Sequence, residues 1–187
     1  FIHGWHLMRD KYKIAIDVWE SETARRSERK FIIRPSTDGW LALGVIKVLV
    51  SEGLGSLDGI ANRERLEALI NRLTIDEVSE VTGLSEDEIR ELAELYYYYE
   101  PLTVIGFSIG RTYDGFNSIA LISLIPAVLG LGRWFFYSNT YSLGIDFSYL
   151  RGLHLAKPSR VISMAEVGEE VERGKVKFVF VWNSNPV

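Results

Sequence analysis

Two short strands in the first forty residues each end in polar side chains that could bind a nucleotide. Residues 12–16 run into the acidic and hydroxyl side chains of 17–21, and residues 31–34 run into 35–38 just before a long apolar helix. In an open α/β sheet, ligands bind outside the carboxyl ends of the strands. A carboxylate there can accept hydrogen bonds from a ribose diol or from the N1–H and N2–H₂ groups of guanine. The two strand ends therefore predict one nucleotide-sized site.

Composition and charge narrow the function classes. The chain has 187 residues, 47% of them apolar, and a net charge of −4. That length suits one domain or two small ones, and the acidic balance argues against a nucleic-acid-binding protein. Residues 57–100 hold twelve acidic side chains and four arginines, whereas residues 1–34 hold eight basic and five acidic ones. The basic segment adjoins the predicted site and could help to hold a pyrophosphate.

The chain contains no cysteine, which excludes disulfides, thiolate metal sites and cysteine nucleophiles. The most apolar run, residues 119–131, is too short to span a bilayer and is interrupted by Pro126, so no membrane span is expected. The N-terminus lacks the pattern of a secretory signal. We therefore expect a cytoplasmic location, with periplasmic export of a longer parent chain left open. The missing initiator Met indicates an excised piece of such a chain.

Hydrophobic periodicity predicts an α/β fold of the Rossmann-like, three-layer type, with an open, mostly parallel sheet and helices on both faces. The expected strands are 12–16, 31–34, 102–105 and 176–181. The expected helices are 22–26, 40–50, 57–73, a pair over 74–99 that turns at Gly83, one from Asp114 or Asn117 to Leu129, and one over 163–173. Ser85 and Glu88 form a predicted capping box. The aromatic stretch 133–160 is predicted to be irregular.

The helix pair over 74–99 also has the pattern of a helix-turn-helix of a transcription regulator. Its second helix would then be the recognition helix. Residues 86–94 of that helix carry five acidic side chains and the single basic residue Arg90. Docking such a helix against phosphates would be strongly unfavourable. This interpretation is therefore rejected.

Several short motifs follow one another along the chain in an order that is typical of one family. The motifs are Ile16-Asp17, Glu22-Thr23-Ala24, Arg34-Pro35-Ser36-Thr37-Asp38-Gly39, Leu41-Ala42-Leu43-Gly44, Thr82-Gly83 with Ile89 and Leu92-Ala93, Gly106-Phe107-Ser108, Gly130-Leu131-Gly132-Arg133 and Asn185-Pro186. In this order they resemble the molybdopterin oxidoreductases of the dimethyl-sulfoxide-reductase superfamily, which includes formate dehydrogenases and nitrate reductases. The resemblance covers nearly the whole chain, which corresponds to the family's central cofactor-binding region only.

The resemblance implies a cofactor and a set of binding residues. The family binds molybdenum or tungsten through two molybdopterin guanine dinucleotides. By position, guanosine contacts fall on Asp17, Val18, Trp19, Glu20, Ser21, Ser36, Thr37 and Asp38, loop contacts on Gly106, Phe107 and Arg111, and a strand-end contact on Asn183 or Asn185. Among these, Asp38 is the expected guanine reader, Glu20 the ribose ligand and Arg111 a phosphate ligand. No catalytic residue and no metal ligand is expected in this chain.

The resemblance also implies what surrounds the chain. Residues 1–100, with a helical insert at 57–100, would form a first nucleotide-binding segment, and residues 101–187 a second. The expected partners are the remaining domains of the parent chain, with an electron-transfer subunit as a further candidate. Any iron–sulfur cluster and the metal-ligating residue would lie in other segments. The full-length chain would be an oxidoreductase, whereas this piece alone is expected to be inactive.

Two departures from the family pattern leave an alternative function open. Val18 and Trp19 replace a Pro-Arg pair, which removes a charge, and Arg111 stands where the family often has Gln. The alternative is a structural subunit of a respiratory complex that keeps the fold without the pterin. The intact polar residues at 17–21 and 36–38 favour the cofactor-binding function, and Val18-Trp19 leans toward the alternative.

Each candidate residue also has a purely structural interpretation. Asp17 could be a turn or cap residue, and Asp38 could be the N-cap of the next helix, a role that leaves one oxygen for a nucleotide. The glycines of 106–115 could serve a strand-to-helix turn. Asn183 and Asn185 could be turn residues before a proline. Their positions in the family order favour binding.

Overall fold

The protein consists of two compact units, Phe1–Ser142 and Leu143–Val187. The structure is a computed structural model that describes residues 8–132, 134–137, 146–157, 160–162 and 166–180. Helices surround short parallel strands, which confirms the predicted α/β class. The predicted segments 1–100 and 101–187 refer to domains of a parent chain, and their boundary stays a prediction.

The first unit contains most of the regular structure. In chain order its elements are β1 (Ile14–Asp17), α1 (Glu22–Arg25), β2 (Arg29–Ile32), α2 (Asp38–Ser51), α3 (Arg63–Arg72), α4 (Ile75–Thr82), α5 (Glu86–Tyr99), β3 (Thr103–Ile105), a 3₁₀ turn (Ile109–Arg111), α6 (Gly115–Val128) and β4 (Phe135–Tyr137). Strand β1 pairs in parallel with β2, and β3 pairs in parallel with β4.

Helix α2 forms the centre of the core. Val45, Ile46 and Leu49 are completely buried, and α2 packs against α3, α4, α5 and α6. A helix that is apolar nearly all round is expected to lie between layers, so this burial explains its sequence. Gly44 permits a close approach of α4, because a Cβ atom there would lie 2.8 Å from Cγ1 of Val78. The core therefore fixes α4 tightly against α2.

The predicted helix pair is confirmed as α4 and α5, joined at Gly83. Ser85 and Glu88 form the predicted capping box at the start of α5. A second capping box, between Thr74 and Glu77, starts α4 and was not among the sequence predictions. Gly83 has a φ of 82°, which explains why glycine ends α4.

An ion pair attaches α5 to the first sheet. The guanidinium of Arg29 on β2 donates to both carboxylate oxygens of Glu91, at 2.7 and 2.5 Å. It also lies 4.4 Å from the ring centroid of Phe31. The hydrogen bond to Arg29 lowers the pKa of Glu91, and the same bond raises the pKa of Arg29. A bidentate pair adds geometric specificity, so it sets how α5 lies against β2.

The second unit contains two short helices within its described residues, α7 (Phe147–Leu150) and α8 (Val167–Glu172). The carboxylate of Glu170 on α8 is buried and pairs with Arg160, Arg173 and Lys175. This cluster ties α8 to the segments on either side of it.

Several predicted element boundaries were wrong. Residues 133–160 are not irregular throughout, because they include β4 and α7. Helix α3 begins at Arg63 rather than at residue 57, since residues 57–62 form turns with Asn62 in the left-handed region. Residues 176–180 are not assigned to a strand, and Phe178 and Phe180 are largely exposed. Of the predicted helix over 163–173, the structure describes a helix over Val167–Glu172, and residues 163–165 lie outside the described residues.

The N-cap of α2 also differs from the sequence prediction. Thr37 is the N-cap, and no side-chain hydrogen bond caps the helix. Asp38 is the first helical residue, so its carboxylate is not committed to capping. The reason lies one residue earlier, because Ser36 has a φ of 64° and turns the chain before the helix starts.

We expect Ser36→Gly to stabilise the protein by about 0.5–1 kcal/mol. A left-handed conformation costs an L-residue roughly 1–2 kcal/mol, and glycine recovers most of this despite its larger entropy loss. Urea unfolding measures the effect. The matched control is Ser108→Gly, because Ser108 has an ordinary φ of −66° and the same substitution there should destabilise. Equal effects at both positions would contradict the conformational explanation.

Candidate nucleotide-binding site

The two predicted polar strand ends lie at the same edge of a sheet. Asp17 is opposite Ile32 in the parallel pairing of β1 and β2. The backbone N–H of Ile33 donates to the carbonyl of Asp17 at 2.9 Å, which extends the pairing beyond the strands. Residues 17–21 and 34–38 therefore leave the sheet side by side. The structure brings together the two groups that the sequence predicted to form one site.

Asp17 and Asp38 place two carboxylates near each other at this edge. Asp38 is half-buried, and this burial raises the pKa of its carboxyl, an effect to which the negative charge of Asp17 adds. Oδ1 of Asp17 accepts from the backbone N–H of Val18 at 2.8 Å. Within the described part of the chain, neither carboxylate forms an ion pair. Both retain acceptor capacity for a ligand.

The loop after β1 combines an ion pair with two exposed apolar side chains. Glu20 pairs with Lys30 of β2, and this hydrogen bond lowers the pKa of Glu20. Ser21 caps α1, since its Oγ accepts from the N–H of Ala24 at 3.2 Å. Val18 and Trp19 are 45% and 63% exposed. Glu20 is thus engaged within the protein, and its partner supplies a cation beside the strand ends.

The loop before α2 is fixed by its own hydrogen bonds. Oγ1 of Thr37 donates to the carbonyl of Arg34 at 2.6 Å. The N–H of Arg34 donates to the carbonyl of Thr82 at 2.8 Å. Ser36 lies between these anchors and is exposed. Ser36 therefore presents its hydroxyl from a constrained backbone, whereas the hydroxyl of Thr37 is used inside the loop.

The loop after β3 presents an exposed arginine. The guanidinium of Arg111 lies 4.6 Å from the ring centroid of Phe107, and Gly106 opens the loop. Among the described residues Arg111 has no carboxylate partner. Gly115 closes the loop, because a Cβ atom there would lie only 2.2 Å from the carbonyl oxygen of Ile109. Arg111 is therefore a stacked cation that could bind a phosphate.

The loops before α2 and α6 lead into helices whose first turns touch. Gly39 in the first turn of α2 lies against Ser118 in the first turn of α6, and a Cβ atom at Gly39 would lie 3.0 Å from Oγ of Ser118. The loop of 106–114 and the loop of 35–38 each precede one of these turns. The N-terminal ends of α2 and α6, which favour negative charge, are therefore adjacent.

Two of the predicted binding residues cannot be placed in the structure. Asn183 and Asn185 fall outside the described residues. Within those residues, no group of three His, Cys, Asp or Glu side chains could hold a metal ion. None of the described helices is both long and apolar enough to cross a membrane.

Comparisons with known proteins identify the chain's relatives. No family model matches the chain. Three proteins of Bacillus subtilis (strain 168) are similar to it. The probable oxidoreductase YoaE is 29% identical over 122 residues, 63% of this chain and 18% of that protein. The probable oxidoreductase YyaE is 29% identical over 133 residues, 67% of this chain and 20% of that protein. The assimilatory nitrate reductase catalytic subunit is 34% identical over 86 residues, 44% of this chain and 12% of that protein.

A solved structure shares the fold. Acetylene hydratase from Pelobacter acetylenicus superposes with a TM-score of 0.59 at 25% identity, over 67% of this chain and 18% of that one. These matches support the resemblance of part of this chain to molybdopterin oxidoreductases. The family resemblance predicted from the motifs is thereby confirmed. The chain spans about a fifth or less of the length of each of these relatives.

The relatives agree on the family but not on a reaction. Their names include a nitrate reductase and a hydratase, which act on different substrates. The individual roles of the predicted binding residues stay predictions. Two residues that the sequence interpretation did not single out join the site: Lys30, which pairs with Glu20, and Arg34, which anchors the second loop. The sequence signal for Lys30 was its position in the basic N-terminal segment, and Arg34 was also the first residue of the motif Arg34-Pro35-Ser36-Thr37-Asp38-Gly39, without a role of its own.

We expect Asp38→Asn to change how stability depends on pH. Because the pKa of Asp38 is raised in the folded protein, the folded state holds this proton more tightly than the unfolded state. Wild-type stability therefore falls as the pH rises from about 4, near the unfolded value, through the raised pKa. The variant lacks this loss. The free energy of unfolding, measured with urea, should rise for Asp38→Asn relative to wild type as the pH is raised from about 4 to about 8.

A constant difference between the two proteins across this range would contradict the account. The interaction of the ionised Asp38 carboxylate with the helix dipole is part of its net pKa, so the pH-dependent difference reports burial, the charge of Asp17 and the dipole together. A difference that does not vary with pH reports changes in packing and in the hydrogen bonds of the neutral side chain.

Proposed function

We propose that this chain binds the guanosine end of a molybdopterin guanine dinucleotide that carries molybdenum or tungsten. The observation that carries the proposal is the meeting of Asp17 and Asp38 at one sheet edge without an ion-pair partner among the described residues. Carboxylates placed in this way are costly unless a ligand supplies donors. The guanine edge offers N1–H and N2–H₂, which one carboxylate can accept together.

The remaining residues fit the rest of a nucleotide. Glu20 would accept from the ribose hydroxyls, and Ser36 could bond to the sugar or the base. Lys30 and Arg111 supply positive charge for the pyrophosphate, because Lys30 lies beside Glu20 and Arg111 is exposed on its loop. The adjacent N-terminal ends of α2 and α6 favour the same negative charge. Asn183 or Asn185 would add a contact from the end of the chain.

The cofactor, when bound, supplies the redox and group-transfer chemistry, and the protein supplies binding and orientation. In this proposal the chain's own residues bind the guanosine end of the cofactor and so hold the pterin in place. The metal-ligating residue and any iron–sulfur cluster belong to other segments of the full-length protein. That protein is proposed to be an oxidoreductase that exchanges electrons with a partner subunit.

One observation favours the alternative of a structural subunit without the pterin. Val18 and Trp19 replace the family's Pro-Arg pair, and both are exposed at the first strand end, where the arginine would have brought a charge. Lys30 partly compensates, since it brings a cation to Glu20 in the same loop. The cofactor-binding function therefore remains the proposal that fits more of the residues.

We expect Asp38→Asn to weaken retention of the guanine nucleotide in the full-length protein about tenfold, because a charge-assisted hydrogen bond is lost. The measurement is GMP released per protein by acid hydrolysis after gel filtration, together with molybdenum and tungsten by elemental analysis. The matched control is Asp87→Asn, an exposed residue in the first turn of α5. It makes the same charge change at another helix start and should leave the GMP content unchanged.

Two results would count against the proposal. Wild-type protein without either metal and without GMP would put the structural-subunit function ahead. Equal GMP loss in Asp38→Asn and Asp87→Asn would mean that a general charge effect, and not guanine recognition by Asp38, explains retention.

A further inference from the structure

We propose that Arg34 is a positioning residue that holds the nucleotide-binding loop 35–38 against the turn between α4 and α5. The inference rests on the proposed function, because it assigns a role to a side chain that acts on Asp38 through the backbone. It gives the helical pair α4–α5 a part in cofactor binding although none of the predicted ligands lies on it.

Arg34 is bound to the end of α4 through both its backbone and its side chain. Its N–H donates to the carbonyl of Thr82 at 2.8 Å. Its Nη1 donates to the carbonyl of Glu80. The last carbonyls of a helix have no partner inside the helix, and they form the negative end of its dipole. A guanidinium at this position therefore satisfies a free acceptor and is stabilised by the dipole.

Gly83 provides the surface on which the Arg34 side chain lies. A Cβ atom at Gly83 would lie 3.5 Å from Nε and 3.6 Å from Cγ of Arg34. The Arg34 side chain therefore leaves room at Gly83 for a methyl group in ordinary van der Waals contact. A side chain longer than methyl at position 83 would occupy the space of the guanidinium.

The turn that receives Arg34 is itself rigid. The Oγ1 of Thr82 is buried, donates to the carbonyl of Val78 at 2.7 Å and accepts from the N–H of Leu84 at 3.3 Å. Val78 in turn packs over Gly44 of α2. The end of α4 is thus fixed to the central helix of the core, and it can serve as a fixed support for the loop.

Two hydrogen bonds link Arg34 to the first turn of α2, which contains Asp38. The carbonyl of Arg34 accepts from Oγ1 of Thr37, and the carbonyl of Thr37 accepts from the N–H of Leu41 in the first turn of α2. Between these bonds the chain passes through Ser36 in the left-handed region. Few backbone conformations satisfy all of these constraints. The position of Arg34 therefore determines the position from which the Asp38 side chain extends.

The first test compares two variants of Arg34 in the full-length protein. Arg34→Met keeps the length of the side chain but removes its donors, and Arg34→Lys keeps one donor for the carbonyl of Glu80. We expect Arg34→Met to lose GMP about three to ten times faster than wild type during incubation and gel filtration, the effect of one hydrogen bond. Arg34→Lys should recover most of this loss. Thermal unfolding of the same samples reports stability separately.

The second test uses the glycine under the guanidinium and a matched control. Gly83 and Gly53 both follow helices with positive φ, 82° and 70°, but a Cβ atom at Gly53 would meet nothing within 4 Å. Asn tolerates this conformation better than most residues, so Gly83→Asn and Gly53→Asn carry a similar backbone cost. We expect only Gly83→Asn to accelerate GMP loss, because only its side chain displaces Arg34.

The outcomes separate this inference from the proposed function. Wild-type protein that contains no GMP overturns the proposed function and the inference with it. Wild-type protein that contains GMP, with unchanged retention in Arg34→Met and Gly83→Asn, overturns the inference alone. Lower thermal stability with unchanged GMP loss, or Arg34→Lys behaving like Arg34→Met, would likewise show that Arg34 does not position the loop through this hydrogen bond.

Discussion

The candidate site depends on two carboxylates at one sheet edge, Asp17 at the end of β1 and Asp38 at the start of α2, of which the first raises the pKa of the second. Asp17 is fixed by the register of the parallel pair, and Asp38 by the start of α2. Burial and the negative charge of Asp17 raise the pKa of Asp38, so its ionised form is disfavoured in the folded protein. A fold retains such an arrangement at some cost in stability, which is typical of sites where a ligand supplies the missing donors.

The scaffold explains how this arrangement is maintained. The core around α2 fixes the first turn of that helix, and the contact between Gly39 and Ser118 sets the start of α6 beside it. The pair α4–α5 is acidic on its exposed side, yet it is joined to the sheet by Arg29 and to the loop by Arg34. The helix pair α4–α5 is thus attached to the sheet and to the loop that carry the polar strand ends.

The sequence predicted those parts of the fold that depend on local signals. The capping box at Ser85, the turn at Gly83 and the apolar helix α2 each follow from residues close together in the chain. Strand β4 was missed because its partner β3 is about thirty residues away, and aromatic side chains alone do not distinguish a strand from a loop. The pairing of Glu20 with Lys30 and the anchoring of Arg34 at Thr82 are likewise non-local, so no spacing rule could have revealed them.

The most direct test of the central claim is an experimental structure of the full-length protein with its cofactor bound. The account predicts a guanine base beside the ends of β1 and β2, with N1 and N2 each about 2.7–3.2 Å from the carboxylate oxygens of Asp38. A guanine bound away from these strand ends would contradict it. So would a structure in which the carboxylate of Asp38 points away from the guanine.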